Sequence, residues 1–386
     1  MIAIVYHYIA HYRYPIFSEL CKSPEFQFII ISGTELDYEI KTVDPKYANI
    51  SVEEGGLRWE FVKNIWLFNK RLLWQKGLIK KCLTNKFEAC IFLGDVHFIT
   101  TWISAIILRI KGKKVYFWTH GVYEEEKGLK NYFRLKFYKL ADGLFLYGNY
   151  AAKMIEKKGI ENNKLHVIYN SLDYEAHLKL RDSISEEVLK KKKAEYFPDP
   201  SLPQLIFIGR LTRQKKVHQI IEAVKELRDE HLRLNVLLVG DGEEEVRIKE
   251  LVRRYDLGKN VFFFGPSYNE FDNFILIAGS DISVSPGDVG LTAIHSLSCG
   301  TPVITHNNFI QQMPEFEAII PGYNGDFYEM DNIHALSTVI KNWLKVNTNR
   351  EKIRTNCYNI IDEKYNPDYQ LKTIINVLKN DKVSQN

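Results

Sequence analysis

Three signatures are missing from the 386 residues: a D-x-D triplet, a C-x-x-C pair and any run of about 20 apolar residues. Without the first, the chain lacks the usual carboxylate pair that holds a divalent cation against a diphosphate. Without the second, its five cysteines, Cys21, Cys82, Cys90, Cys299 and Cys357, read as reduced structural thiols rather than a disulfide frame or a zinc site. Without the third, no transmembrane helix is expected; the longest candidate, Phe98 to Ile110, is interrupted by Thr100, Thr101, Ser104 and Arg109. The opening MIAIVYHYIAHYRYP has neither a basic n-region nor a long apolar h-region, so no cleaved secretion signal is expected and the setting reads as cytoplasmic. H-E-x-x-H, G-x-S-x-G and G-x-x-x-x-G-K-[ST] are also absent, which removes the usual signs of a zinc protease, an α/β hydrolase or a P-loop enzyme. A net charge of only +4, with no recognised binding motif, argues against nucleic acid as a partner.

What is there is globular: 45% hydrophobic and 26% charged residues, long enough for two cores. Short apolar runs bounded by Gly, Asn or Asp alternate with longer patterned segments, the signature of βα units around parallel sheets. Strands are predicted at Ile2 to Tyr6, Phe28 to Ile31, Ala89 to Leu93, Lys114 to Trp118, Gly143 to Tyr147 and Leu165 to Ile168. A second series runs through Leu205 to Ile208, Asn235 to Val239, Val261 to Phe264, Ile282 to Val284 and Thr301 to Thr305. Between them, the Lys-rich VLKKKKAEYF and PDPSLP replace the strand pattern with charge and proline. This predicts an N-terminal domain over 1–180, a linker region over 181–203, a second domain over 204–365, and a C-terminal helix and tail over 366–386.

Two loops attract chemistry. SPGDVGLTAIHSLSCGTPVITHNN, Ser285 to Asn308, is a glycine-containing loop that opens an apolar helix. Amides at a helix start lack intrahelical acceptors and carry the positive end of the dipole, so Gly290, Leu291 and Thr292 can donate to phosphate or sugar oxygens. LIFIGRLTRQKKVHQIIEAV, Leu205 to Val224, is a strand ending at Gly209, then a loop with Arg210, Arg213, Lys215 and Lys216. Planar guanidinium donors and a mobile ammonium suit a diphosphate leaving group that gains charge as its bond breaks. VGDGEEE, Val239 to Glu245, resembles the start of a dinucleotide fingerprint, but Glu245 stands at the third Gly position and its acidic neighbours would repel a pyrophosphate.

GRLTRQKK is similar to the G-R-L-x-x-x-K-G, and GDVGLTAIHSLSCGTPVI to the E-G-F-G-L-x-x-x-E-A-x-A-C-G-x-P-V-I, of the retaining glycosyltransferases of family 4. WTHGVYEEE, ADGLFLYGNYAAKMI, VIYNSLD and MPEFEAIIPGYNGDFYEMDN resemble further family segments in the right order, so the resemblance covers nearly the whole chain. It implies an α/β chain of GT-B fold: two Rossmann-like domains facing a central cleft, with the C-terminal helix crossing back to the N-domain. It also implies a nucleotide-diphosphate sugar as donor, bound by the C-terminal domain, a saccharide or lipid-linked saccharide as acceptor, and no cofactor or metal. By that resemblance Arg210 and Lys215 serve the diphosphate, and His120 lies beside the donor sugar. Gly209, Asp288, Val289, Gly290, Leu291, Thr292 and His295 line the donor site.

The departures matter equally. Lys216 stands where the family has Gly, Gly287 where it has its first motif Glu, and His295 where it has the second. Both carboxylate roles are therefore unfilled, leaving open a non-transferring partner of another transferase or a nucleotide-sugar epimerase. Asp288, one residue from the first position, is the nearest substitute for sugar hydroxyls, and His295 can still hydrogen-bond a ribose hydroxyl. Finally, Phe61 to Leu83 interleaves Trp66, Phe68 and Trp74 with Lys63, Lys70, Arg71 and Lys76, which predicts an amphipathic helix suited to a membrane surface or docked on the N-domain sheet. KNYFRLKFYKL, Lys130 to Leu140, extends the same composition. With the resemblance, this points to surface polysaccharide assembly at the inner face of a bacterial membrane.

Overall fold

The computed structural model of the chain describes residues 1–36, 40–122 and 128–383, with side chains through 381. The chain divides into two compact units, one formed by Met1–Leu172 with Asn366–Asn386 and the other by Asp173–Tyr365.

The first unit contains strands β1 (Ile2–Val5), β2 (Phe28–Ser32), β3 (Trp59–Phe61), β4 (Lys63–Leu67), β5 (Leu72–Lys76), β6 (Ala89–Leu93), β7 (Lys114–Thr119), β8 (Gly143–Leu146) and β9 (Leu165–Val167). Seven form a parallel sheet in the order β3-β2-β1-β6-β7-β8-β9. Such a sheet needs helices on both faces, which is why its central strands are continuous apolar runs rather than alternating ones. One face buries Ile2, Ile4, Trp118 and Phe145 against Phe17 and Leu20; the other buries Ala3, Val5, Phe92 and Phe117 against Leu78, Leu108 and Phe137. The last helix, Pro367–Val383, adds Ile374, Ile375, Val377 and Leu378 to the first of these cores.

The second unit carries β10 (Gln204–Ile208), β11 (Asn235–Val239), β12 (Val261–Gly265), β13 (Ile282–Ser285), β14 (Val303–His306) and β15 (Gly325–Tyr328), parallel in the order β12-β11-β10-β13-β14-β15. In both sheets the first strand of the unit lies in the interior and the order reverses there. Loops leaving the carboxyl ends of strands beside such a switch point are where α/β sheets hold ligands.

Two expectations are corrected. The second unit begins at Asp173, so 173–203 belongs to it rather than to the N-terminal domain and a linker region: Tyr174–Ser183 and Glu186–Ala194 are its helices, started by Asp173 and Ser185 side chains that accept from Ala176 and Val188 amides. Nor is Phe61 to Leu83 one amphipathic helix. It is the antiparallel hairpin β4-β5 followed by a short helix, Leu78–Thr84. The hairpin buries amides instead of an apolar stripe: Gln75 Nε2 donates to Asn64 Oδ1 at 3.1 Å and to the Tyr6 carbonyl at 3.0 Å, while Asn64 Nδ2 donates to the His7 carbonyl at 2.6 Å. No helix among the described residues is long and apolar enough to cross a membrane.

Candidate active site

In the second unit, β10 runs into Gly209 and Arg210, a single 3-10 turn covers Arg213–Lys215, and the helix His218–Asp229 follows. The turn ends at Lys216 with φ of 50°, a left-handed backbone, which explains why glycine suits this place. Lys216 has a compensation: its Nζ donates to both carboxylate oxygens of Asp331, at 2.6 and 2.8 Å.

The GDG of Val239 to Glu245 serves this loop rather than a dinucleotide. A Cβ on Gly240 would lie 1.9 Å from the Gly209 carbonyl oxygen, and one on Gly242 would lie 2.4 Å from that of Leu211. Leu211 N donates to Asp241 O at 2.6 Å and Glu244 N donates to Leu211 O at 2.9 Å, so the two loops are stitched backbone to backbone.

β13 leads into the second loop, whose Gly290 has φ of 51° at the start of the helix Leu291–Ser298. The structure brings the two loops together. Lys215 Nζ donates to the Asp288 carbonyl at 2.7 Å and lies 3.2 Å from its carboxylate. A Cβ on Gly287 would meet the Gln214 carbonyl oxygen at 2.2 Å and Lys215 Cα at 2.8 Å. Among the described residues, the amides of Gly290, Leu291 and Thr292 find no acceptor, and Arg210 is exposed without an ion pair. A cluster of free donors and one unspent guanidinium beside a neutralised Lys–Asp pair is arranged to receive an anion. Val289 differs from expectation: it is buried, and its amide is already committed to Gln312 Oε1 at 2.9 Å, so it supports the loop instead of offering a donor.

His295 sits on the same helix as those amides, but its Nε2–H donates to Glu270 Oε1 at 2.7 Å. His177 donates to the same oxygen, also at 2.7 Å. Burial pushes the Glu270 carboxyl up, but the two imidazole hydrogen bonds outweigh it and hold it well below the usual carboxylate range. Sequence reasoning missed Glu270, His177 and Gln312. All three come from segments distant in sequence from the ones they serve, and no spacing betrays them.

The first unit offers a cavity of about 340 Å³, lined among others by Tyr6, Arg13, Asp95, His97, His120 and Tyr147. Arg13 is buried, hydrogen-bonded to the Tyr147 hydroxyl and set over the Trp118 and Tyr147 rings at 5.4 and 4.9 Å. His120 follows β7 and faces Tyr147 with ring centroids 4.5 Å apart. The His120 side chain is exposed to the cavity, so desolvation by the protein around the ring, and then the Arg13 charge, lower its pKa by an amount that solvent screening reduces. A His lowered in this way is neutral at pH 7 and acts as a hydrogen-bonding group, not a cation. We expect the His120 ring resonances to titrate below the ordinary imidazole value of about 6.5, so that the ring is mainly neutral at pH 7. By linkage, the unfolded chain takes up this proton first, so His120 supports stability fully above about pH 6.5 and progressively less as pH falls below that value. A ring titrating near pH 6.5 would refute this. The acidic turn Glu124 to Glu126 lies outside the described residues.

Comparison with known proteins places the fold and its class of chemistry beside glycosyltransferases. Residues 189–360 match the family model for glycosyl transferases group 1. An uncharacterized glycosyltransferase of Methanocaldococcus jannaschii is 26% identical over 310 residues, covering 72% of this chain and 73% of the relative. The N-acetyl-alpha-D-glucosaminyl L-malate synthase of Bacillus anthracis is 29% identical over 146 residues, 37% of this chain and 35% of that enzyme. In fold, the chain resembles HepE of Anabaena, solved in complex with UDP, with a TM-score of 0.72 over 98% of this chain and 99% of that one at 15% identity. The architecture is GT-B.

Proposed function

We propose that this GT-B glycosyltransferase moves a sugar from a nucleotide-diphosphate donor to a saccharide acceptor, lipid-linked, in bacterial surface polysaccharide assembly, with retention of configuration as in family 4. The observation that carries the reading is the meeting of two loops in the second unit. Lys215 is locked to Asp288, while Arg210 and the amides of Gly290, Leu291 and Thr292 remain available to a diphosphate.

In this reading Arg210, Lys215 and the helix amides neutralise the leaving nucleotide diphosphate in the place of a metal ion. The leaving phosphate oxygen takes the acceptor proton, so no protein base is needed on that face. Asp288 and His295 are the remaining side chains for donor hydroxyls, with Gly209 permitting close approach at the end of β10. His120 and the aromatic cavity of the first unit serve the sugars. A screen of nucleotide sugars, with UDP sugars first, tests the assignment. Glycosylated acceptor supports transfer; altered free nucleotide sugar, or binding without turnover, replaces it with epimerisation or a regulatory role. Arg210→Ala should weaken nucleotide diphosphate binding roughly tenfold, because a charge-assisted hydrogen bond is lost from an exposed side chain. Unchanged affinity in a UDP titration sinks that role.

For the membrane, the hairpin supplies a different device from the helix expected. Its tip exposes Phe68 (74%) beside Lys70 and Arg71, and the helix Gly128–Tyr138 exposes Leu129, Tyr132 and Phe133 among lysines. Aromatic side chains at the interface with basic neighbours on anionic headgroups favour a lipid surface. Phe68→Asp is expected to reduce sedimentation with phosphatidylglycerol-containing vesicles several-fold at unchanged thermal stability. Equal sedimentation would remove the hairpin from the proposal.

A further inference from the structure

At the far end of the helix that follows the donor loop, three helices of the second unit converge on a set of side chains of which only His295 is assigned to the donor. His177 comes from the helix Tyr174–Ser183, Glu270 opens the helix Glu270–Ala278, and His295 and Cys299 follow each other by one helical turn at the end of the helix Leu291–Ser298. One ligand atom each from His177, His295 and Cys299 lie within 4.8 Å of one another, and Glu270 Oε1 is 2.7 Å from both imidazole Nε2 atoms. We propose that these four residues form a binding site for one soft divalent cation of the Zn²⁺ class.

The donor set argues for that class. Two imidazoles, a thiol and a carboxylate are ligands of zinc-like ions, whereas magnesium and calcium want oxygen. His295 and Cys299 are spaced i, i+4 and so lie on one helix face. His177 is only 1% exposed, so an ion here would be held by a side chain fixed in the core.

The charges balance. Binding converts the Cys299 thiol to a thiolate and releases one proton, while each neutral imidazole binds through a lone pair and keeps its single N–H on the other nitrogen. A dication, a thiolate and the Glu270 carboxylate then sum to zero, which a nearly buried site requires. Cys299 is fully buried, and burial raises its thiol strongly, so the metal-free thiol is protonated and inert. Glu270, with 46% of its side chain exposed, is the side from which an ion enters. Occupied, the site pins the helix whose first turn presents the free amides of Leu291 and Thr292.

The test uses the whole protein, freed of metal by a chelator and titrated with Co²⁺. One equivalent should raise a thiolate-to-cobalt absorption in the near ultraviolet together with the intense visible bands of a tetrahedral site. Cys299→Ser should lose the ultraviolet band, and His177→Ala should lose the tetrahedral spectrum. Should either variant fail to fold, the thermal midpoint of the unaltered protein decides: it should rise with Zn²⁺ and stay put with Mg²⁺. Absence of the thiolate band in the unaltered protein, its persistence in Cys299→Ser, or equal midpoints with and without Zn²⁺ would each overturn the proposal.

Discussion

Lys215→Ala is expected to lower transfer by roughly two to three orders of magnitude, the loss typical of removing one preorganised donor from a developing oxyanion. The effect has two parts. The ammonium no longer meets the charge that grows on the leaving diphosphate, and Asp288, which Lys215 neutralises at 3.2 Å, is left as a bare carboxylate beside an arriving anion. The second part predicts a diagnostic pattern. Adding Asp288→Asn to Lys215→Ala should recover part of the lost donor affinity, seen in KM or a UDP titration, but little of kcat. Wild-type kcat/KM in Lys215→Ala would end the assignment of this loop to the leaving group.

Placing a carboxylate where the resembled family has its first motif Glu should damage the protein. In Gly287→Glu the new Cβ meets the Gln214 carbonyl oxygen at 2.2 Å and Lys215 Cα at 2.8 Å, backbone atoms that cannot rotate away. The loops must separate, at a cost of about 1–3 kcal/mol or more, and the Lys215–Asp288 bridge goes with them. A fall in thermal midpoint and at least about a tenfold loss of nucleotide affinity are expected. Gly287→Ala, carrying the same Cβ without the charge, should show most of both losses, which separates crowding from electrostatics. Improved donor binding in either variant would contradict this account. His295→Glu meets a different obstacle, since its carboxylate would face Glu270 where an imidazole now donates. Both residues that depart from the resembled pattern are thus fixed in place by neighbours.

The parallel sheets were legible because their strands are short apolar runs closed by Gly or polar residues, and the observed β1, β6, β7, β10 and β11 fall on those runs. The hairpin β4-β5 was not, because its turn residues Phe68, Asn69 and Lys70 adopt φ of 51°, 51° and 64° with no glycine to announce it. Its basic and aromatic residues also fit a helical period as well as an alternating one. At the site, contiguous motifs carried Arg210, Lys215 and Gly290 into the right loops. The contact of Gly287 with Gln214 and the sharing of Glu270 by two histidines depend on packing between distant segments, which no local spacing encodes.

The return of Pro367–Val383 to the first unit has a consequence for biogenesis. The core of that unit includes Ile374 and Leu378, so its fold stays incomplete until the ribosome has made the intervening 173–365 segment. At typical elongation rates this is a wait of roughly 10–40 s, during which apolar surface on Phe17 and Leu20 is exposed to chaperones and to aggregation. The second unit is contiguous in sequence and is free to fold on the ribosome first, so during synthesis the first unit should become native after it.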